Sequence, residues 1–252
     1  MPIDFDHVAI ATTNIGSAFD LVIGELGGLV VHGGDGYGFR WVQARLGTIE
    51  TGMTVELLVV WEPAVNDFLA RFIDRHGVGV HHMTFKVPDL RATLDRCVTL
   101  GLHPVGVDLD NPEWREAFLQ PREAHGTVVQ LAQTPYGPDD FAQLMTHAQD
   151  TGVAEGTPVW WPQPPPRATP AVTLDRVVIG SPDRAAAREF FVEFLNATVI
   201  ADDAEVTDLN WPGGGQVRLV DAPTAGVLRL EGHGPSPRAV DLSGTPFTIT
   251  SA

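Results

Sequence analysis

The chain has 252 residues, with 16 Lys and Arg against 32 Asp and Glu, a formal net charge of −16 when His is neutral. That length can bury one large core or two modest ones, and the acidic balance argues against nucleic acid or an anionic membrane surface as the main partner. The single cysteine, Cys97, excludes an intrachain disulfide and makes a reduced cytoplasm the expected setting, with no secretory signal and no apolar run long enough to cross a bilayer.

Residues 3–11 alternate as a strand that contains Asp6-His7-Val8-Ala9. Asn14 is placed to cap a helix whose Ile15, Ala18, Phe19, Val22, Ile23 and Leu26 recur on one face, and Gly27-Gly28 ends it. Residues 29–31 read as a short strand broken by Gly33-Gly34-Asp35-Gly36. Residues 39–46 and 53–60 read as a hairpin around a glycine-bounded loop. The order is strand, helix, three strands. A connecting helix then carries Val65, Phe68, Leu69, Phe72 and Ile73 as its buried stripe.

The phrase restarts at residues 81–87, where His82, Thr84 and Lys86 alternate with Met83, Phe85 and Val87. His81 falls on the helix side of that strand. A helix follows over 90–100, with Leu90, Leu94, Cys97 and Val98 inward, so Cys97 is expected as a packing residue. Strands are expected over 104–108, 115–120 and 127–132, which repeats the first unit. Residues 141–151 suggest a weakly amphipathic helix. The stretch 153–170, with Trp160-Trp161-Pro162 and Pro164-Pro165-Pro166, suggests a stiff linker whose tryptophans pack onto a domain. A third copy opens with Asp175-Arg176-Val177-Val178-Ile179, and its last strand is expected at 226–230. A fourth unit is expected to be missing or vestigial.

Repeated strand-helix-strand-strand-strand units with His near the start of the first strand resemble the vicinal oxygen chelate superfamily. The resemblance is carried by Asp6-His7-Val8-Ala9, Thr54-Val55-Glu56-Leu57-Leu58, Gly79-Val80-His81-His82, Phe118-Leu119-Gln120-Pro121 and Gly126-Thr127-Val128-Val129-Gln130-Leu131. It is nearest to members like methylmalonyl-CoA epimerase. It implies an α+β fold of βαβββ units forming a half-barrel around a metal cavity, plus a third, degenerate unit. The expected organisation is a paired metal-binding domain over 1–135, a helix and Pro/Trp-rich linker over 136–171, and a degenerate domain over 172–252.

The resemblance implies His7, Glu56, His82 and Gln130 as ligands of one divalent ion: Zn, Ni, Co, Mn or Fe. Strand alternation agrees, because the immediate neighbours of these residues are apolar and point to the helices. Glu56 is the expected catalytic base, because Gln130 stands where the family commonly has Glu and residues 39–46 lack the third-strand carboxylate of the epimerases. Trp41 and Gln43, on one face of that strand, and Arg115, placed inward with Ala117 and Leu119, are the expected substrate contacts. In the third unit Arg176 replaces the histidine and Arg229 is placed where Glu56 would be, so no metal is expected there.

These residues point to a metal-dependent enzyme acting on a small oxygenated acid or thioester by enolate-type isomerisation, epimerisation or lyase chemistry. Two alternatives stand beside it: an Fe(II) ring-cleaving type of dioxygenase, and a non-catalytic protein that binds a small molecule or antibiotic. The expected partner is a small-molecule substrate, with homodimer formation left open.

Overall fold

A computed structural model describes residues 2–152, 154 and 163–252; Trp160-Trp161-Pro162 lie outside the described residues. The first unit is β1 (Asp4–Thr12), α1 (Ile15–Phe19), β2 (Leu29–Asp35), β3 (Phe39–Gly47) and β4 (Gly52–Val60). Asn14 caps α1 by accepting from the Ser17 N–H at 3.0 Å, and α1 continues as a π-helical turn over Asp20–Glu25. Gly47 and Gly52 close the β3–β4 hairpin with φ of 134° and 86°. A Cβ on Gly52 would lie 2.1 Å from the Leu46 carbonyl oxygen, so glycine is required there. β2 extends through the glycine-rich stretch that was expected to break it, with a register shift between Val30 and His32.

After α2 (Phe68–His76) the second unit comprises β5 (Gly79–Lys86), α3 (Leu90–Thr99), β6 (Val105–Asp108), β7 (Arg115–Leu119) and β8 (Val128–Gln133). Asp89 caps α3 through the Ala92 N–H at 3.1 Å, and Cys97 is buried on that helix. α4 (Pro138–Thr151) precedes the third unit: β9 (Thr173–Ser181), α5 (Arg184–Glu189) with a π-helical turn over Phe190–Phe194, β10 (Thr198–Asp202), β11 (Val206–Asn210) and β12 (Gln216–Asp221). Three strands follow: β13 (Gly226–Gly234), β14 (Arg238–Leu242) and β15 (Thr245–Ser251).

One sheet has the order β2-β3-β4-β1-β5-β8-β7-β6, the other β10-β11-β12-β9-β13-β15-β14. The two orders run in parallel: β13, β15 and β14 hold the places of β5, β8 and β7. A fourth unit is therefore present as strands without a helix. Residues 226–230, expected to end the third unit, instead open this fourth one, and β12 is the last strand of the third. The fold is α+β, built from repeated βαβββ units. Among the described residues no helix is long and apolar enough to cross a membrane.

The chain divides into two compact units, Met1–His7 with His82–Gly137 and Arg176–Arg229, and Val8–His81 with Pro138–Asp175 and Leu230–Ala252. In the first, Phe5, Phe85, Phe191 and Trp211 form an aromatic core, with Phe5 and Phe85 stacked at 4.8 Å and Phe85 5.1 Å from Trp211. The buried indole of Trp211 donates to the Leu195 carbonyl at 2.8 Å, so its polar atom is satisfied. In the second, Ala9, Ala11, Leu58 and Leu69 pack with Trp41, Phe68 and Phe72, while Leu29, Val31, Met145 and Ala148 form a further cluster under α4. Arg167 donates to the carbonyls of Gly27 and Gly28, fastening the chain ahead of β9 to the end of the first unit's helix.

Candidate metal centre

His7 on β1, Glu56 on β4 and His82 on β5 come together: one ligand atom from each lies within 4.8 Å of the others. These strands are neighbours in one sheet, in the order β4-β1-β5. The side chains are 1, 8 and 5% exposed, which separates them from an ordinary surface acidic cluster. A buried carboxylate is costly unless compensated, and two imidazoles with a carboxylate suit a divalent first-row cation. Donors about 2.1 Å from a common ion stand roughly 3–4 Å apart, a spacing compatible with ligand atoms that all lie within 4.8 Å of one another. The donor chemistry fits a metal.

The surroundings orient these groups. The Asp6 carboxylate lies 2.7 Å from His7 Nδ1 and 2.7 Å from Lys86 Nζ. Burial works against charge on Asp6, but Lys86 and His7 outweigh it and hold the carboxyl well below the usual carboxylate range. A carboxylate on Nδ1 fixes the ring, the arrangement that commonly orients ligating histidines, and directs Nε2 inward, where it meets the Thr84 hydroxyl at 2.9 Å and would exchange that contact for a cation. Gln43 on β3 is the cross-strand partner of Glu56, and its Nε2 donates to Glu56 Oε1 at 3.2 Å. Trp41, two residues along, packs at 5.0 Å against His32 and joins the cluster under α2. His81 lies against Phe68 and Phe72 of α2, at 5.5 and 4.6 Å. Burial pushes its pKa down to about 4, with the Glu56 charge working the other way, so His81 is neutral near pH 7.

Gln130 on β8 is 6% exposed and lies across from Thr84 of β5. Its Oε1 accepts from the Thr84 hydroxyl at 2.5 Å, and Thr84 Oγ1 is also 2.9 Å from His7 Nε2. Its Nε2 donates to Glu116 Oε2 at 2.6 Å. Gln130 is thus linked to the cluster through a hydroxyl.

Arg115 is not where alternation was taken to put it. In the β7–β8 pairing Phe118 lies opposite Gln130, while Arg115, Ala117 and Leu119 lie opposite Gln133, Leu131 and Val129. Directly paired residues share a face, so Glu116 and Phe118 stand with Gln130 and Arg115 stands on the other side. The Arg115 guanidinium donates to the Leu109 carbonyl at 3.1 Å. The fully buried Ala117 and Leu119 carry Arg115 to their own face. Phe118 meets His82 edge-on at 6.2 Å. Thr84, Phe118 and Glu116 were therefore missed. The signal for Glu116 was present, because the rule that put His7 and Glu56 opposite their apolar neighbours puts Glu116 and Phe118 opposite Ala117 and Leu119.

Arg229, expected at the place of Glu56, stands elsewhere. It stands on β13, which occupies the place of β5, so it matches a first-strand position. The residue that matches Glu56 is Arg218 on β12: it is the cross-strand partner of Asp208, as Glu56 is of Gln43.

No family model matches the chain, and no curated protein matches it. Among solved structures, a hypothetical protein from Staphylococcus aureus is similar over 99% of this chain and 100% of its own, with a TM-score of 0.68 at 12% identity. A hypothetical protein from Bacillus halodurans covers 54% of this chain and 98% of its own, with a TM-score of 0.48 at 21% identity. Methylmalonyl-CoA epimerase from Mycobacterium tuberculosis covers 53% of this chain and 89% of its own, with a TM-score of 0.46 at 23% identity. The full-length likeness supports the fold and leaves the chemistry to the residues above.

Proposed function

We propose that the chain is a divalent-metal-dependent enzyme of the vicinal oxygen chelate type, acting on a small oxygenated acid or thioester by moving a proton next to a carbonyl. The observation that carries this reading is the buried His7, Glu56 and His82 donor set. In the proposal these three hold the ion, and Gln130 stands beside them as an oxygen donor or as the anchor of Thr84. A divalent ion so held polarises a substrate carbonyl and stabilises the enolate left when the neighbouring carbon loses its proton.

The chain's own residues do the rest. Asp6 fixes the ring of His7. Gln43 holds one Glu56 oxygen through its amide, leaving the carboxylate oriented to take the substrate proton. Trp41 and Gln43 line the substrate side, and Arg115 stands on the opposite face of β7, bonded to the Leu109 carbonyl.

A second reading has its own support. Two histidines and one carboxylate are the facial set of non-haem Fe(II) oxygenases, and the Gln130 oxygen already accepts from Thr84. Under that reading the chain is a ring-cleaving dioxygenase.

Metal analysis of untagged protein purified without added metal, joined to two activity measurements, separates these. Zinc, nickel or cobalt with solvent deuterium entering the carbon next to a thioester or keto group supports the first reading. Iron with oxygen uptake on catechols supports the second. Glu56→Gln is expected to retain much of the metal and to abolish the deuterium exchange; undiminished exchange in that variant sinks the role given to Glu56.

A further inference from the structure

The hydrogen bonds behind Gln130 lead to a second buried-face carboxylate. Glu116, on the third strand of the second unit, receives two donors on one oxygen: Gln130 Nε2 at 2.6 Å and Trp114 Nε1 at 3.0 Å. An ionised carboxylate only accepts, and an indole N–H only donates. Glu116 therefore selects between the two nearly isosteric orientations of the Gln130 amide: the NH2 faces Glu116, and Oε1 turns the other way. Oε1 then meets the Thr84 hydroxyl, whose oxygen is 2.9 Å from His7 Nε2.

We propose that Glu116 is a positioning residue of the metal centre, turning the amide oxygen of Gln130 toward Thr84 and His7 so that no amide proton faces the cation. The proposal rests on the reading of His7, Glu56 and His82 as a metal site. The geometry explains why a carboxylate sits beside a buried amide on the cavity face of β7, and why Trp114 is set to hold it. It also separates two acids by task. Glu56 is in the ligand set, whereas Glu116 acts through its hydrogen bond from Gln130. Without Glu116 the amide is free to turn over. Its NH2 would then point at Thr84 and the cation, which opposes metal binding and breaks the hydroxyl's donation.

The test is titration of the metal-free full-length protein with Co(II) alone, followed by calorimetry and by the visible absorption of the bound ion. Glu116→Ala is expected to weaken Co(II) binding about tenfold, within the 10–100-fold typical of groups that support ligands from behind. Gln130→Ala is expected to weaken it comparably. The double variant should bind no worse than the weaker single one, because both changes remove the same link. Glu116→Gln, whose amide oxygen still accepts from Gln130, should bind close to wild type and keep its spectrum. Unchanged affinity and spectrum in Glu116→Ala would overturn the proposal, as would losses that multiply in the double variant. A fall in the metal-free melting temperature with Co(II) affinity intact also overturns it, because a merely structural role gives that pattern. Failure of the underlying reading looks different: wild type and His82→Ala would then take up Co(II) equally, or neither would.

Discussion

At the place of His7 on β1, β9 carries Arg176; at the place of Glu56 on β4, β12 carries Arg218; at the place of His82 on β5, β13 carries Arg229. The equivalence is anchored by the pairs beside them. Asp6 meets Lys86 at 2.7 Å in one sheet, and Asp175 meets His233 at 2.9 Å in the other. Gln43 faces Glu56 across one hairpin as Asp208 faces Arg218 across the other. In the second sheet the Asp208 carboxylate takes Arg218 through both oxygens, at 2.7 Å each, and Arg176 at 3.2 Å. One strand architecture thus supports two chemistries. Where the positions hold imidazoles and a carboxylate they offer lone pairs to a cation; where they hold guanidiniums they offer only donors, and two of the three, Arg176 and Arg218, bind the Asp208 carboxylate.

The sharpest break of this comparison is a change at matched positions. His82→Ala is expected to lower Co(II) affinity by more than about a hundredfold, beyond the effect of supporting groups, while Arg229→Ala leaves it unchanged in the same titration. Equal effects from the two would mean that the sheets do not differ as described.

Asp208→Ala comes next. It leaves Arg176 and Arg218 without their shared, largely buried carboxylate, and is expected to cost about 3 kcal/mol of unfolding free energy in a urea titration. Its effect on metal affinity should be nil. The same carboxylate predicts a pH dependence. The Arg218 hydrogen bonds, with the Arg218 and Arg176 charges, outweigh burial and hold the Asp208 carboxyl below its ordinary value. A carboxylate depressed in the folded state binds fewer protons there than when unfolded. Its stabilisation is present above the unfolded pKa of about 4 and is lost as pH falls through the lower folded value. Asp208→Asn should flatten the fall in unfolding free energy below about pH 4. An unaltered acid limb contradicts the assignment.

The smallest contrast lies in the flanking acids. Asp6→Asn removes the carboxylate behind His7 and is expected to weaken Co(II) binding about tenfold. Asp175→Asn breaks a half-exposed pair with His233 and should change stability by less than about 1 kcal/mol. If both prove equally silent, Asp6 does not orient a ligand.

Much of the first sheet was legible in the sequence because its signals are local. Alternation around His7, Glu56 and His82, the caps at Asn14 and Asp89 and the glycine-bounded hairpin each depend on neighbours within a few residues. The misplaced residues depend on pairing between distant strands. Arg115 was given the wrong face because a five-residue strand with two half-exposed residues at its start leaves its facing open until Phe118 is matched with Gln130. Arg229 was given the wrong strand because four short strands after α5 can be grouped as one unit or as the junction of two. Only the parallel pairing of β12 with β9 and of β13 with β15 settles the grouping. Glu116 stood in the sequence beside Arg115 and followed it to the wrong face.

The central claim is that the first sheet holds a divalent ion on His7, Glu56 and His82 while the second, with arginines in the same places, holds none. Its most direct test is the metal content of untagged protein, measured by elemental analysis after equilibrium dialysis against Co(II) and extensive washing. Wild type and an Arg176→Ala/Arg229→Ala variant should each retain one equivalent per chain, and a His7→Ala/His82→Ala variant none. Retention of cobalt by the histidine variant, or its absence from wild type, would contradict the account.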